Sequence, residues 1–150
     1  MPKLYGHYIR VLHWCTDQVI THALAQMDLT AAQGHIMGLL SHQKEPLCSR
    51  DVARALELSH PTVSGLLARM ERKGFLQLRQ DPRDKRARRI HLLPRGMECV
   101  AQIEEVIRAN EQRMVRDFTE EERQRFMEYL DRAIVNLGGS PCPPHHPKEE

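Results

Sequence analysis

The 150-residue chain has no run approaching the roughly 18 apolar residues that a membrane-spanning helix needs. Its amino-terminal MPKLYGHYIRVLHW also lacks the long apolar core of a signal peptide. A soluble, cytoplasmic protein with no membrane partner is expected. Four cysteines, Cys15, Cys48, Cys99 and Cys142, lie far apart and form no CxxC pair, which excludes a zinc knuckle and a dithiol redox motif and fits a reducing compartment. There is no Gly-rich phosphate loop, no GxSxG elbow and no pair of carboxylates in an apolar setting. Neither catalysis nor a cofactor is expected, and no internal repeat occurs. The length suits one domain, or one domain with an extension, able to bury about two-thirds of its unfolded surface without disulfides.

What the chain does have is charge in an uneven distribution. From Arg50 to Arg95 there are twelve Lys or Arg against five Asp or Glu, an excess of seven, whereas the whole chain carries only +2. The flanks are therefore net acidic around a basic centre, and this asymmetry points to a polyanionic partner.

Apolar spacing supplies the elements. Leu4, Tyr8, Val11, Cys15, Val19 and Ala23 recur at steps of three or four and predict a first helix over Lys3–Met27. Thr30-Ala-Ala-Gln33 has the form of a capping box and opens a second helix with Ile36, Leu39 and Leu40 inward, ending near His42. After a turn at 43–46, Leu47-Cys48 is placed as a very short strand and Ser49 as the cap of a third helix from Arg50 to about Glu57. A fourth helix has Pro61 in its first turn, Val63, Leu66, Leu67 and Met70 inward, and Gly74 at its end. Two short strands, Phe75–Gln80 and Arg88–Leu93, flank a charged hairpin, so the pattern reads as a helix-turn-helix followed by a wing. A long helix from Pro94 puts Met97, Val100, Ile103, Ile107 and Met114 on one face. A last helix, capped at Thr119-Glu-Glu-Glu122, turns Phe126, Leu130, Ala133, Ile134 and Leu137 inward. The ending GGSPCPPHHPKEE is aperiodic and is expected to be disordered.

Four pieces together resemble the MarR (multiple antibiotic resistance regulator) family of winged-helix transcription factors. They are LTAAQGHIMGLL, SRDVARALELS with HPTVSGLLARMERKGFL, the wing signature Asp81-x-Arg83-Asp84-x-Arg86, and Leu92-x-x-x-Gly96 leading into the long helix. Leu93 departs from the helix-capping threonine usual there, for which Pro94 compensates as a preset first residue. The resemblance implies a mainly α fold with a small antiparallel β-wing. A winged helix-turn-helix at 29–93 would be flanked by dimerisation helices at 1–28 and 94–137, with a disordered tail at 138–150. It further implies a homodimer that grips double-stranded DNA at a pseudo-palindromic operator, acts as a repressor, and is relieved by a small aromatic or amphipathic acid.

On that reading Ser59, His60, Thr62, Ser64 and Gly65 of the fourth helix face the major groove, where short polar groups suit base edges and glycine permits close approach. His60 reads equally well as a polar residue facing water. Arg69 and Arg72 are placed to reach phosphates, and Lys73 is exposed further along the same helix. Arg83, Lys85, Arg86 and Arg88 form the wing's basic face, braced by Asp81 and Asp84, and the resemblance sends the wing arginine into the minor groove. Tyr8, His13, Trp14, His22 and His35 are candidate effector contacts, because they put polar tips on apolar helices.

The histidines His13, His22, His35 and His42 invite a metal, but metal-responsive relatives also draw ligands from the fifth helix, and residues 97–117 contain no histidine. No regulatory metal is expected there, nor at Cys142, His145 and His146 of the tail. Cys15, on the apolar stripe, is read as a buried structural thiol, with thiol-based redox sensing as the alternative. A winged helix used for protein contact is the other alternative.

Overall fold

A computed structural model describes residues 4–141, and Cys142, His145 and His146 lie outside the described residues. The order is α1 (Tyr5–Gln26), α2 (Ala31–Ser41), α3 (Ser49–Ala55), α4 (His60–Arg72), β1 (Leu76–Gln80), β2 (Arg88–Leu92), α5 (Pro94–Met114) and α6 (Glu120–Asn136). Contacts divide the chain into two compact units, one through Asn110 and one from Glu111 onward, with the divide inside α5.

Both capping boxes form as the sequence predicts. Thr30 Oγ1 accepts the Gln33 amide at 3.3 Å while Gln33 Oε1 accepts the Thr30 amide at 3.0 Å. Thr119 and Glu122 repeat the exchange at 3.2 and 2.8 Å. Ser49 is not the cap of α3. It is the first helical residue, and the cap position is Cys48, whose amide donates to Asp51 Oδ2 at 2.9 Å. An acceptor three residues ahead made this earlier start possible.

Four helices end alike, on a residue in the left-handed region with a six-to-one hydrogen bond across it. Gly74 (φ 77°) and Gly138 (φ 85°) close α4 and α6, the second being where the expected tail begins, while Asp28 (φ 58°) and Glu57 (φ 52°) close α1 and α3. The spanning bonds are Leu29 N–H to Leu24 O (2.9 Å), Leu58 N–H to Ala53 O (3.0 Å), Phe75 N–H to Met70 O (3.1 Å) and Gly139 N–H to Ile134 O (3.0 Å). The bond across Glu57 ends α3 at Ala55, two residues before the expected limit.

The first unit's core is aliphatic apart from Phe75. Ile36, Met37, Val52, Val63, Leu67, Met70, Phe75 and Leu76 are fully buried, so α2, α3, α4 and the base of the wing share one interior. β1 and β2 pair antiparallel with Leu76 opposite Leu92 and Gln80 opposite Arg88. Leu47-Cys48 adds only a single bridge, Cys48 opposite Arg89, with the Ile90 amide donating to Leu47 O at 2.8 Å.

Within the single chain the apolar faces of three helices are only partly covered, and Cys15, expected as a buried thiol, is exposed. Of the α1 stripe, Leu4, Tyr8, Val11 and Cys15 are exposed, because the core covers only the carboxyl end of that helix around Ile20, Leu24 and Met27. In α5 the inner face runs through Gly96, Cys99, Val100 and Ile103, which leaves Met97 about a third of a turn outside it. In α6, Ile134 and Leu137 are exposed and no residue is buried.

At Gly96 a β-carbon would collide with the Phe75 carbonyl oxygen, so the first turn of α5 can pass Phe75 only on glycine. Gly96→Ala should lower stability by about 2 kcal/mol or more, read as a fall in the urea midpoint at unchanged slope. Glu57→Gly should do the reverse, raising stability by about 1 kcal/mol through relief of the left-handed backbone.

Candidate nucleic-acid interface

The amino end of α4 is the first half of the site. Val63, Leu66, Leu67 and Met70 are buried, which fixes the opposite face outward: His60, Pro61, Thr62, Ser64, Ala68, Arg69 and Arg72 are exposed. Ser59 is the helix cap. Its Oγ accepts the Thr62 amide at 3.4 Å and lies 2.7 Å from Thr62 Oγ1, so both hydroxyls are engaged in holding the first turn. Ser64 has no such tie. Gly65 is not required by packing, since a β-carbon there would meet nothing within 4 Å, nor by a positive φ. A helix-interior glycine costs about 1 kcal/mol relative to alanine, so Gly65 leaves this face of α4 bare at a small cost in helix stability.

The wing is the second half, and its rigidity comes from two carboxylates. Asp81 is 4% exposed. Its Oδ1 accepts the Arg83 amide at 2.8 Å, and its Oδ2 takes the Arg89 Nε at 2.6 Å. Asp84 Oδ1 accepts the Arg86 amide at 2.9 Å. The expected bracing is thus of a different kind: the acids hold the backbone of Arg83 and Arg86, and only Arg89 is gripped by its side chain. Among the described residues Arg69, Arg72, Arg83, Lys85, Arg86 and Arg88 make no ion pair. Six unneutralised cations on α4 and the wing are exposed together.

Arg89, Glu71 and Lys73 fell outside the expected contact set, and all three hold the interface in place. Arg89 Nη1 also donates to Pro46 O at 3.0 Å, which ties the wing to the loop before α3. Glu71 Oε1 accepts the Leu78 amide at 2.8 Å, fastening the outer edge of β1 to α4. Lys73 Nζ meets Asp28, 2.7 Å from its carbonyl and 2.9 Å from Oδ2. One signal was available for Arg89: adjacent strand residues point to opposite faces, so Arg88 and Arg89 could not share a role.

Tyr8, His13, Trp14, His22 and His35 are all exposed in the single chain, and Trp14 falls between Arg10 and Gln18 along α1, on a different flank from Tyr8. A shallow cleft in the first unit is lined by Leu40, Lys44, Pro46, Leu47, Ile90 and His91. Among the described residues no group of His, Cys, Asp and Glu is arranged to hold a metal, and no helix is long and apolar enough to cross a membrane. Cys99 is buried and its thiol is pushed up by that burial.

A model described as the MarR family matches residues 27–87, the span from the end of α1 to the wing tip. A curated relative, the transcriptional activatory protein BadR of Rhodopseudomonas palustris, is 30% identical over 122 residues, covering 78% of this chain and 69% of BadR. The chain belongs to the MarR family. Its winged-helix fold is also that of MepR, a transcription regulator of the Staphylococcus aureus multidrug efflux pump MepA, at 31% identity and a TM-score of 0.80 over 90% of this chain and 99% of MepR. MepR has also been solved as a DNA complex, at 32% identity and a TM-score of 0.73 over 89% of this chain and 99% of that one. Bound to ethidium bromide it is likewise 32% identical, with a TM-score of 0.69 over 90% of this chain and 97% of that one. This MarR-family chain is a transcription regulator.

The wing clamp has a pH signature. The Arg83 amide, then the Arg89 guanidinium, hold the Asp81 carboxyl below its ordinary value of 3.8. A depressed carboxyl contributes stability that is complete above the unfolded value and is lost as pH falls through the folded one. Asp81→Asn should therefore be less stable than the wild type by a constant amount from neutral pH down to about pH 4 and by a shrinking amount below it, as followed by urea unfolding across pH. A difference independent of pH down to full protonation would mean that the clamp does not act through its charge.

Proposed function

We propose that this MarR-family regulator acts in the cytoplasm as a homodimer that binds double-stranded DNA, placing α4 in the major groove and the wing against the minor groove of each half-site. The observation that carries the reading is the wing hairpin, whose acids are spent on backbone amides and on Arg89 so that the charges of Arg83, Lys85, Arg86 and Arg88 remain available to phosphate. The DNA complex of MepR supports the same partner for this chain. Exposed Tyr5, Tyr8, Ile9 and Val11 on α1 with Leu4 just before it, and Met127, Ile134 and Val135 on α6 with Leu137 just after it, supply apolar surface for a second copy. Two equivalent lobes imply a pseudo-palindromic operator with half-sites about one helical turn apart.

The regulator represses by occupying its operator and is released by a small aromatic or amphipathic ligand; ethidium bromide bound to MepR supports such a ligand class. Tyr8, His13, Trp14, His22 and His35 line its site only once a second copy encloses α1. No step of this function requires catalysis or a cofactor.

Footprinting on the chain's own upstream region should show two-fold symmetric protection, and sedimentation at micromolar concentration should show a dimer; asymmetric protection or a monomer would overturn the reading. The two contacting elements should separate by mutation. Arg86→Ala should weaken binding to all sequences and flatten the salt slope by about one ion. Ser64→Ala should cost about 1–3 kcal/mol on the operator and little on random DNA. Ser64 is the cleaner probe than Thr62, whose hydroxyl already meets Ser59.

A further inference from the structure

Asp28 occupies a position made for glycine. It is the left-handed residue that closes α1, at φ 58°, with its own amide donating to Ala25 O at 3.1 Å and the Leu29 amide to Leu24 O at 2.9 Å. A side chain at such a position costs about 1 kcal/mol over glycine, and aspartate is among the few types that tolerate it. The carboxylate that comes with that cost is not idle. Lys73, the cap residue just past the carboxyl end of α4, reaches across 45 positions of sequence to place Nζ 2.9 Å from Asp28 Oδ2 and 2.7 Å from Asp28 O. Two acceptors on one residue fix the ammonium in direction as well as distance. On its other side the Lys73 carbonyl accepts a hydrogen bond from Arg95 Nη1 of α5, whose guanidinium lies 4.5 Å from the centre of the Phe75 ring.

We infer that Lys73 and Asp28 are positioning residues for DNA recognition: the pair ties the end of the recognition helix α4 to the α1–α2 turn, and Lys73 is not one of the charges that meets phosphate. The inference rests on the DNA-binding reading and deepens it, since it assigns the α1–α2 turn a part in setting how α4 is presented. A basic residue at the end of a recognition helix would otherwise be counted with Arg69 and Arg72 as a phosphate contact. Here its side chain is 33% exposed and turned to the opposite partner, whereas no ion pair engages Arg69 or Arg72. Arg95 holds the same residue's carbonyl from α5, so two elements outside the helix-turn-helix meet at Lys73.

The test uses the full-length chain and a labelled operator duplex, with affinity and its salt slope measured beside thermal unfolding. Asp28→Gly relieves the backbone and removes the carboxylate, so its melting temperature should hold or rise while operator affinity falls about fivefold or more. A merely structural role predicts the two to move together. Lys73→Met should lose operator affinity by a similar factor with the salt slope unchanged, Lys73→Arg should recover most of it, and the Asp28→Gly, Lys73→Met double variant should be no worse than either single. Arg72→Ala serves as the phosphate control and should flatten the slope by about one ion. The pair is overturned if Lys73→Met flattens the slope and weakens random DNA equally, or if Asp28→Gly leaves operator affinity intact. Either result in a wild type that still binds DNA steeply with salt leaves the DNA-binding reading standing, whereas a wild type that binds no duplex removes both.

Discussion

The turn at Gly74 is the constraint on which the DNA-facing half of this chain depends. Its positive φ lets the Phe75 amide return to Met70 and sends the Phe75 ring into the core directly beneath the helix it has just left. From that reversal β1 starts with Leu76 already buried, and the Phe75 carbonyl is delivered to the Leu93 amide and the bare α-carbon of Gly96. The last turn of α4 thereby becomes a meeting point: Glu71 fastens the wing edge, Lys73 reaches the α1–α2 turn, and Arg95 comes in from α5. A helix that reads a groove needs its axis fixed relative to everything else that touches the duplex. The buried face of α4 fixes that axis along its length, and the hydrogen bonds at its carboxyl end add ties to the wing, the α1–α2 turn and α5.

Much of this was legible in residues whose local chemistry has one solution. Thr30 with Gln33, Thr119 with Glu122, Gly74 and Pro61 announce helix ends because few other conformations satisfy the amides and φ values concerned. Spacing likewise gave the buried face of α4, since Val63, Leu66, Leu67 and Met70 admit only one inward side. The failures share a cause. Ser49 yielded the cap to Cys48 because the deciding group was the Asp51 carboxylate rather than the capping side chain. Leu4, Tyr8 and Val11 are periodic yet uncovered, for periodicity states which side of a helix is apolar and not whether anything lies against it. Asp28 with Lys73, and Arg89 with Pro46, join residues more than forty positions apart, and no local rule pairs them.

Charge in the lobe divides into two kinds by what it touches. Asp51, held below the ordinary carboxylate value by hydrogen bonds from the Cys48 thiol and then the Cys48 amide, belongs with Asp81 and Asp84 as a group that shapes backbone. Arg89 and Lys73 belong with them, although their sign suggests otherwise. The remaining cations of α4 and the wing tip are exposed and make no ion pair among the described residues. The sequence-level excess of basic charge therefore understates how one-sided the surface is, since the acids contributing to the balance are largely turned to internal amides.

Bracing a hairpin by its amides uncouples the form of the wing from the identity of its tip. Every residue except proline has an N–H, so the hydrogen bonds from positions 83 and 86 to Asp81 and Asp84 do not depend on which side chains stand there. Shape and surface chemistry at the tip are then heritable separately. Substitutions among the tip residues can change the charge and contour that the wing presents, while the two aspartates keep the loop in the same form. A lineage can in this way vary the surface of the hairpin without passing through an unfolded wing.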